Sequence, residues 1–411
     1  MVRPRPQQAR VGAMCKHTAQ FGFAMLLLVL VVVARVCGEV VMEEDEYGAL
    51  HINTSDPRAA PVFVNGVDVG QMFQLVQRQQ MVIEELRATT CLLRTPQADS
   101  TSISGYPTAV SKWKWIGGVQ ASNGLIFGIP YNSPSVLIIN PTTNSVDTTT
   151  INGLGTGTKW GGGVLAPNGL IYGFPSTADA VLIIRPDSKT ADTTTIAGLG
   201  SNSGKWFSGV LASNGLIYGI PGSSPSVLII DPDTNTADTS SIGGFAGGAD
   251  KWYGGVQASN GLIYCMPSHS PSVLIIDPAT NTADTTSITD VGNGYHKWYG
   301  GVLAPNGLIY GIPRHATSVL IINPASNTAD TTTITGLGGV DKWIGGFLAA
   351  NGKIVGIPHS STSVLIINPA TRIGGLSDAT GKWYDGVMAT NGLIYGIPYH
   401  ADSVLVIDPG C

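Results

Sequence analysis

A Lys-Trp pair recurs seven times along this chain, and its tryptophans are separated by 45, 46, 46, 46, 45 and 40 residues. Self-similarity at a period of about 40–50 residues is typical of propellers and solenoids. The repeat therefore constrains the architecture more strongly than any other feature. Its near-identical copies also leave little of the asymmetry that a catalytic site requires. The seven pairs are Lys114-Trp115, Lys159-Trp160, Lys205-Trp206, Lys251-Trp252, Lys297-Trp298, Lys342-Trp343 and Lys382-Trp383.

The third copy, residues 205–250, shows what one repeat builds. Asn214-Gly215 separates its first two apolar runs, and Asn-Gly in that position is a strong hairpin signal. Pro221 closes the second run, and a third apolar run precedes a polar, β-rich run over residues 237–242. Four short strands in such a unit form the blade of a β-propeller. The sequence therefore predicts an all-β, seven-bladed propeller over residues 98–411, with the polar fourth strand of each blade on the outer rim.

The two ends of the repeat region complement each other. The seventh copy ends after its third strand, and residues 98–105 match the fourth-strand pattern of residues 329–336. We therefore expect residues 98–105 to complete blade seven and close the ring, which removes an exposed sheet edge. The sixth copy is short, and we expect three strands plus a stub at residues 371–376, or else an insertion-deletion difference among the repeats.

Two of the five cysteines flank the expected closure. Cys91 and Cys411 are predicted to form a disulfide, which would stabilise the fold by roughly 5 kcal/mol in the chain-entropy model. The alternative is that Cys91 pairs between chains. Cys265 replaces a strand glycine and is predicted to be a small core residue.

Residues 1–38 have the composition of a targeting segment. A basic start precedes an apolar run over residues 21–34, which suits a signal peptide and is short for a membrane span. An uncleaved signal-anchor is the alternative, and it would be the only membrane attachment. Both interpretations place the propeller in the secreted or cell-surface compartment, where disulfides persist. Asn53 begins a glycosylation sequon, Asn-Thr-Ser.

Residues 39–97 form an acidic linker followed by a predicted helix. In the helical segment, six of eight core heptad positions are apolar, among them Met72, Val76 and Ile83. Residues 69–93 are therefore either a short coiled-coil stalk that forms a homo-oligomer, or an amphipathic helix packed on the propeller.

Composition and motifs argue against several functions. Charged residues are 12% of the chain and the net charge is −5, so we expect no nucleic-acid partner. The chain has no phosphate-binding loop, CxxC pair, HExxH helix or nucleophile elbow. Asp385 is the only acidic residue in the predicted innermost strands. The sequence thus predicts a protein that is not an enzyme and uses no cofactor or metal.

The Lys-Trp pairs begin the innermost strands and are the first candidate ligand-binding residues. Tryptophans repeated around a ring could stack on sugars. Alternatively, each tryptophan is a wedge between blades.

The propeller histidines all fall in blades four to seven, on one face by strand topology. They could form a metal-, anion- or pH-sensitive rim. Since adjacent loops are expected to lie more than about 10 Å apart, shared metal coordination at bonds of ~2 Å is not expected. Exposed loop residues are the alternative. The five histidines are His269, His296, His315, His359 and His400.

The segments Asn214–Pro221 and Ser226–Pro232 resemble the strand pair of extracellular and bacterial propeller repeats, including the YVTN, NHL and kelch-like groups. The resemblance implies a fold and transfers no functional residues. The sequence as a whole favours a recognition propeller with a glycan or protein ligand on the Lys-Trp and loop face. A structural surface protein is the alternative, and a lactonase-type hydrolase is disfavoured by the apolar inner strands.

Overall fold

A computed structural model describes residues 9–10, 40–44, 50–54, 63–64, 67–93, 97–106, 109–367, 371–373 and 381–409. The chain divides into two compact units, Met1–Leu93 and Arg94–Cys411. The predicted targeting segment lies outside the described residues except for Ala9 and Arg10. Cys411 also lies outside them, so the disulfide with Cys91 stays a prediction.

The first unit contains a small sheet and a helix. Ala9–Arg10, Val40–Glu44 and Leu50–Thr54 form an antiparallel three-stranded sheet, and Phe63–Val64 pairs with Val67–Asp68. The stretch predicted to be an acidic linker thus contains strands, and Asn53 lies in one of them.

The predicted helix is present at Val69–Leu93. Its described side chains from residue 71 to residue 83 are all exposed, including Met72, Val76 and Ile83. Oligomerisation through this helix stays a prediction. No helix among the described residues is long and apolar enough to span a bilayer.

The described residues of the second unit form seven antiparallel four-stranded sheets, so the predicted propeller is confirmed. The innermost strands are Trp115–Gln120, Trp160–Leu165, Trp206–Leu211, Trp252–Gln257, Trp298–Leu303, Trp343–Leu348 and Trp383–Met388. The second strands are Ile126–Pro130, Ile171–Pro175, Ile217–Pro221, Ile263–Pro267, Ile309–Pro313, Ile354–Pro358 and Ile394–Pro398. The third strands are Leu137–Asn140, Leu182–Arg185, Leu228–Asp231, Leu274–Asp277, Leu320–Asn323, Val364–Ile367 and Leu405–Asp408.

The outer strands are shorter than predicted. Those of blades one to six are Ser145–Asp147, Thr190–Asp192, Thr236–Asp238, Thr282–Asp284, Thr328–Asp330 and Thr371–Ile373. Each of the first five ends at an aspartate because its carboxylate caps the following residues. Asp238, for example, accepts hydrogen bonds from the N–H groups and hydroxyls of Ser240 and Ser241. Blade six has an outer strand of the same three-residue length, which corrects the expectation of a stub.

Ring closure occurs as predicted. The seventh outer strand is Gln97–Asp99, which pairs antiparallel with Leu405–Asp408. Farther along, the N–H of Val404 donates to the carbonyl of Ile103 at 3.0 Å. The N-terminal end of this unit therefore completes blade seven.

The core lies between blades, because alternate residues of each strand face opposite neighbours. Tyr172 and Phe174 of blade two pack against Trp206 and Ile217 of blade three, whereas Ile171 packs toward blade one. Both faces of the second and third strands are buried and the innermost strands are partly buried, which explains the apolar runs of these strands.

The innermost strands converge on the axis where only glycine fits at several positions. A Cβ on Gly254 would come 2.7 Å from Gly300 Cα, and one on Gly161 would come 2.4 Å from the carbonyl oxygen of Phe207. In each blade the strand register also shifts just after the tryptophan, which marks a β-bulge.

The tryptophans are wedges between blades. All seven are at most 4% exposed. Each indole N–H donates to a backbone carbonyl 20 residues farther along, as from Trp206 to Ser226 at 2.8 Å. The prediction of an exposed stacking platform at these tryptophans is therefore wrong, because a ring enclosed between two blades offers no free face to a sugar.

The lysines are equally internal, at most 9% exposed. Lys159 of blade two donates from Nζ to the carbonyls of Tyr131 and Ser133 of blade one, both at 3.0 Å. Its Nζ also lies 5.7 Å from the centroid of the Trp160 ring. The same pattern recurs around the ring, and Lys114 closes it through the carbonyl of Ala401 at 2.8 Å. Each lysine thus fastens its blade to the preceding one and is not available as a surface ligand-binding group.

We expect Lys159→Met to lower the free energy of unfolding by about 1–3 kcal/mol, because it removes the side-chain hydrogen bonds to blade one and leaves the Ser133 carbonyl without its lysine donor. Burial lowers the pKa of Lys159 to about 8, so the ammonium form is present at pH 7. Urea denaturation at pH 7 measures the loss. Lys112, which is exposed, provides the matched control variant Lys112→Met. Equal stability of the two variants would contradict the inter-blade role.

The aspartate caps predict a loss of stability in acid. The hydroxyl of Ser241, with other donors in its turn, lowers the pKa of Asp238 from 3.8 to about 2. A carboxyl whose pKa is lower in the folded state stabilises the fold above the unfolded-state pKa, and this contribution disappears as the pH falls through the folded value. The urea midpoint should therefore decrease between about pH 4 and pH 2. Five other aspartates make the same cap, so Asp238→Asn, which keeps an acceptor oxygen, should reduce this dependence by the share of one carboxyl. An unchanged dependence would exclude Asp238 as a contributor.

Candidate functional site

Variation between blades is concentrated on one face of the propeller, which we call the loop face. It carries the residue before each Lys-Trp pair and the residues after the proline that ends each second strand. The opposite face carries an Asn-Gly turn in every blade. The residues that directly follow the proline all lie on the loop face and differ from blade to blade: Tyr131, Ser176, Gly222, Ser268, Arg314, His359 and Tyr399.

Aromatic rings fill the centre of the loop face. Five rings form a closed circuit with centroid separations of 4.8–6.5 Å. Tyr253 also stacks on Tyr299 at 4.1 Å. Burial raises the pKa of Tyr253 and Tyr384 well above the ordinary value, so these phenols are uncharged. We call these five residues the aromatic cluster: Tyr131, Phe207, Tyr253, Tyr384 and Tyr399.

Histidines from blades four and five lie together beside this aromatic cluster. His269 Nε2 lies 3.2 Å from His296 Nδ1, and the same Nδ1 lies 2.7 Å from the hydroxyl oxygen of Tyr299. The His315 ring centroid is 5.2 Å from that of His296. The expectation that adjacent loops lie too far apart for shared coordination is therefore wrong. The two loops are close because Lys297 Nζ donates to the carbonyls of Ser268 and Ser270 in the blade-four loop. These hydrogen bonds hold His296, the residue before Lys297, against that loop.

An ion pair borders the histidines. Asp341 Oδ1 accepts from Arg314 Nε at 2.6 Å and lies 3.0 Å from His315 Nε2. Burial raises the pKa of Asp341, but Arg314 and His315 more than offset this and the net direction is down. The Arg314 guanidinium lies 4.4 Å from the centroid of the Tyr299 ring, over its face.

The remaining two predicted histidines lie on the blade-six and blade-seven side. His359 is buried, and burial, reinforced by Arg314, lowers its pKa to about 4. The His400 ring stacks on Tyr399 at 4.8 Å. All five propeller histidines thus share one face, as predicted, but only His269, His296 and His315 lie together.

The residue before each lysine has a strained backbone in four blades. Trp113, Asp250, His296 and Asp341 have φ between 51° and 56°, the left-handed region that favours glycine. Blades three and seven use glycine at this position, with φ of 71° and 63°. Non-glycine residues in this conformation cluster at functional sites. Sequence reasoning singled out only His296 among them, although comparing this position between repeats would have found the others.

The axis holds a second candidate, a cavity of about 200 Å³ lined by paired glycines of the innermost strands. Ser208, Phe347 and Asp385 are its only described lining residues other than glycine. Asp385 stands where five of the other six blades have glycine and blade three has Ser208, and its φ is 63°. Burial raises the pKa of Asp385 to about 6. Ser208 Oγ accepts from the N–H of Gly254 at 2.9 Å.

Comparisons with solved structures return propellers. A streptogramin B lyase covers 76% of this chain and 97% of its own length, with TM-score 0.58 and 8% identity. A catalytically inactive variant of virginiamycin B lyase from Staphylococcus aureus, with quinupristin, covers 76% and 99%, with TM-score 0.59 and 8% identity. The extracellular domain of a putative one-component system from B. thetaiotaomicron covers 75% of this chain and 42% of that chain, with TM-score 0.55 and 9% identity. At these identities the likeness shows the fold.

No protein-family model matches the chain, and no curated protein matches it by sequence.

We expect Asp385→Gly to stabilise the propeller at pH 8 by about 1–3 kcal/mol, because it removes a buried carboxylate and a left-handed non-glycine residue. A carboxyl whose pKa is raised in the folded state destabilises the fold as the pH rises from about 4 through 6. The stability gained by Asp385→Gly should therefore be smaller at pH 4 than at pH 8. Urea denaturation at both pH values measures it. A loss of stability at pH 8 would show that Asp385 makes a favourable interaction in the cavity.

Proposed function

We propose that this protein is an extracellular recognition module that binds its ligand on the loop face. The observation that carries the proposal is the concentration of blade-to-blade variation on this face, where aromatic, basic and acidic side chains converge. A rigid scaffold with variable loops is a common arrangement for binding. The lysines and tryptophans of the repeat belong to the scaffold and are not part of the proposed site.

A glycan is the ligand class that the loop face suits best. Trp113 is 46% exposed and Tyr295 is 72% exposed, and both are aromatic surfaces on which a sugar ring could stack. His315, Arg314 and Asp341 supply polar groups for hydroxyls nearby. A protein partner is the other outcome of the test.

Two further observations support the extracellular and non-enzymatic parts of the proposal. Two of the similar propellers, represented by three structures, are extracellular domains of putative one-component or hybrid two-component systems from B. thetaiotaomicron. The axial cavity offers only Ser208 and Asp385 as polar side chains among its described lining residues, which falls short of a nucleophile, base and oxyanion site.

The test is a glycan array probed with the full chain and with two variants, Trp113→Gly and Tyr295→Ala. Glycine suits the left-handed backbone at position 113. We expect selective binding by the wild type, competed by free sugar, and a loss of about tenfold in affinity in one or both variants, with unchanged melting temperature.

Phe73→Ala is the matched control, because Phe73 is an exposed aromatic in the helix of the other unit. It should bind like the wild type. A blank array with folded protein would exclude the glycan ligand and direct the search to protein partners. Selective binding that neither variant weakens would place the ligand away from these aromatic residues.

A further inference from the structure

Three potential metal ligands converge on the loop face between blades four and five. One ligand atom from each of Asp250, His269 and His296 lies within 4.8 Å of the others, and all three residues are half-buried. Two imidazoles and one carboxylate are the donor set that proteins use for zinc and related transition metals, with a further position left for water or a ligand.

The separation of the two imidazole nitrogens matches that donor set. Zn–N bonds of about 2.0–2.1 Å at a tetrahedral angle place two ligating nitrogens about 3.3–3.4 Å apart. His269 Nε2 and His296 Nδ1 are 3.2 Å apart. The two rings are therefore already at the spacing that a tetrahedral ion requires, with only a small adjustment.

The backbone holds these side chains in place without a metal. Asp250 and His296 both have φ of 51°, and the N–H of His269 donates to the carbonyl of Asp250 at 3.0 Å. The Ala249 carbonyl forms a hydrogen bond with the His269 imidazole, which is the kind of outer contact that orients a metal-binding histidine. The left-handed backbone of Asp250 and His296, each of which precedes a lysine, thus places two of the three potential ligands close to each other.

Positive charge near the cluster is largely compensated. The Arg314 guanidinium pairs with Asp341 at 2.6 Å, and the Lys297 ammonium donates to the carbonyls of Ser268, Ser270 and Gly294. The Asp250 carboxylate contributes one negative charge directly. These contacts leave the cluster able to accept a divalent cation.

We propose that Asp250, His269 and His296 form a binding site for one Zn²⁺ ion or a similar transition-metal ion on the loop face. This site is independent of the glycan proposal. The hydroxyl of Tyr299 competes with the metal, because it occupies His296 Nδ1 at 2.7 Å. Removing that hydroxyl should therefore strengthen metal binding. No such effect is expected if the three residues have only a structural role.

The test is titration of the full chain, stripped of metal, with Zn²⁺ by calorimetry, and with Co²⁺ by visible absorption. We expect one Zn²⁺ per chain and the Co²⁺ bands of a tetrahedral nitrogen–oxygen site. Asp250→Asn, His269→Gln and His296→Asn should each weaken Zn²⁺ binding at least about tenfold. Asparagine tolerates the left-handed backbone at positions 250 and 296. His400→Ala, on the same face outside the cluster, is the matched control and should bind like the wild type.

Tyr299→Phe supplies the second measurement, and we expect it to tighten Zn²⁺ binding up to about tenfold by removing one hydrogen bond. Melting temperatures of the metal-free variants identify any that fail to fold. The proposal is overturned if the folded wild type binds no Zn²⁺. It is also overturned if His269→Gln and His296→Asn bind as tightly as the wild type, or if the only loss occurs in His400→Ala.

Discussion

The hydrogen bonds from each buried lysine to the loop carbonyls of the preceding blade are the constraint on which the rest of the structure depends. A buried ammonium ion is costly unless several acceptors surround it. Lys205, for example, donates to the carbonyls of Ser176, Ala178 and Asn202 within 3.2 Å. Satisfying the charge requires the second-to-third strand loop of one blade to fold around the start of the next. The adjacent tryptophan donates its indole N–H within its own blade and fills the space between the sheets.

This arrangement divides the molecule into a uniform frame and a variable face. Because the lysine fixes the start of each innermost strand, the residue before it lies against the preceding loop, and in six of the seven blades it has a left-handed φ. The residue types at this position are Trp, Thr, Gly, Asp and His, so the frame tolerates side chains of different size and charge there. His296 and Asp341 occupy this position, and each contacts the preceding blade through His269 or through Arg314 and His315. Side chains distant in sequence thus become neighbours without any change in the frame.

The sequence was sufficient for the architecture because its signals are local and repeated. Asn-Gly turns and apolar runs predicted the blade, and the match between residues 98–105 and the other outer strands predicted the closure. The burial of the lysines was not predictable in the same way, since lysine is mostly exposed in proteins. The acceptors are carbonyls of another blade, which sequence patterns do not reveal. The contact between His269 and His296 was missed for the same reason. The outer strands were predicted too long because Asp238 and its equivalents cap the strand, whereas the threonines next to them have high strand propensity.

Burial and ion pairing determine the charge states of several side chains on the loop face. A general acid or base works best with a pKa near the working pH. His359 is buried on this face and its pKa is about 4, so at neutral pH the imidazole is uncharged and is a weak base. The Arg314 guanidinium has Asp341 as its partner, and Tyr253 and Tyr384 of the aromatic cluster are neutral. Asp385 has a pKa of about 6, but it lies on the axis among glycines. Neutral or paired side chains on the loop face can donate and accept hydrogen bonds without a change in charge, and this supports the binding function that we propose for that face.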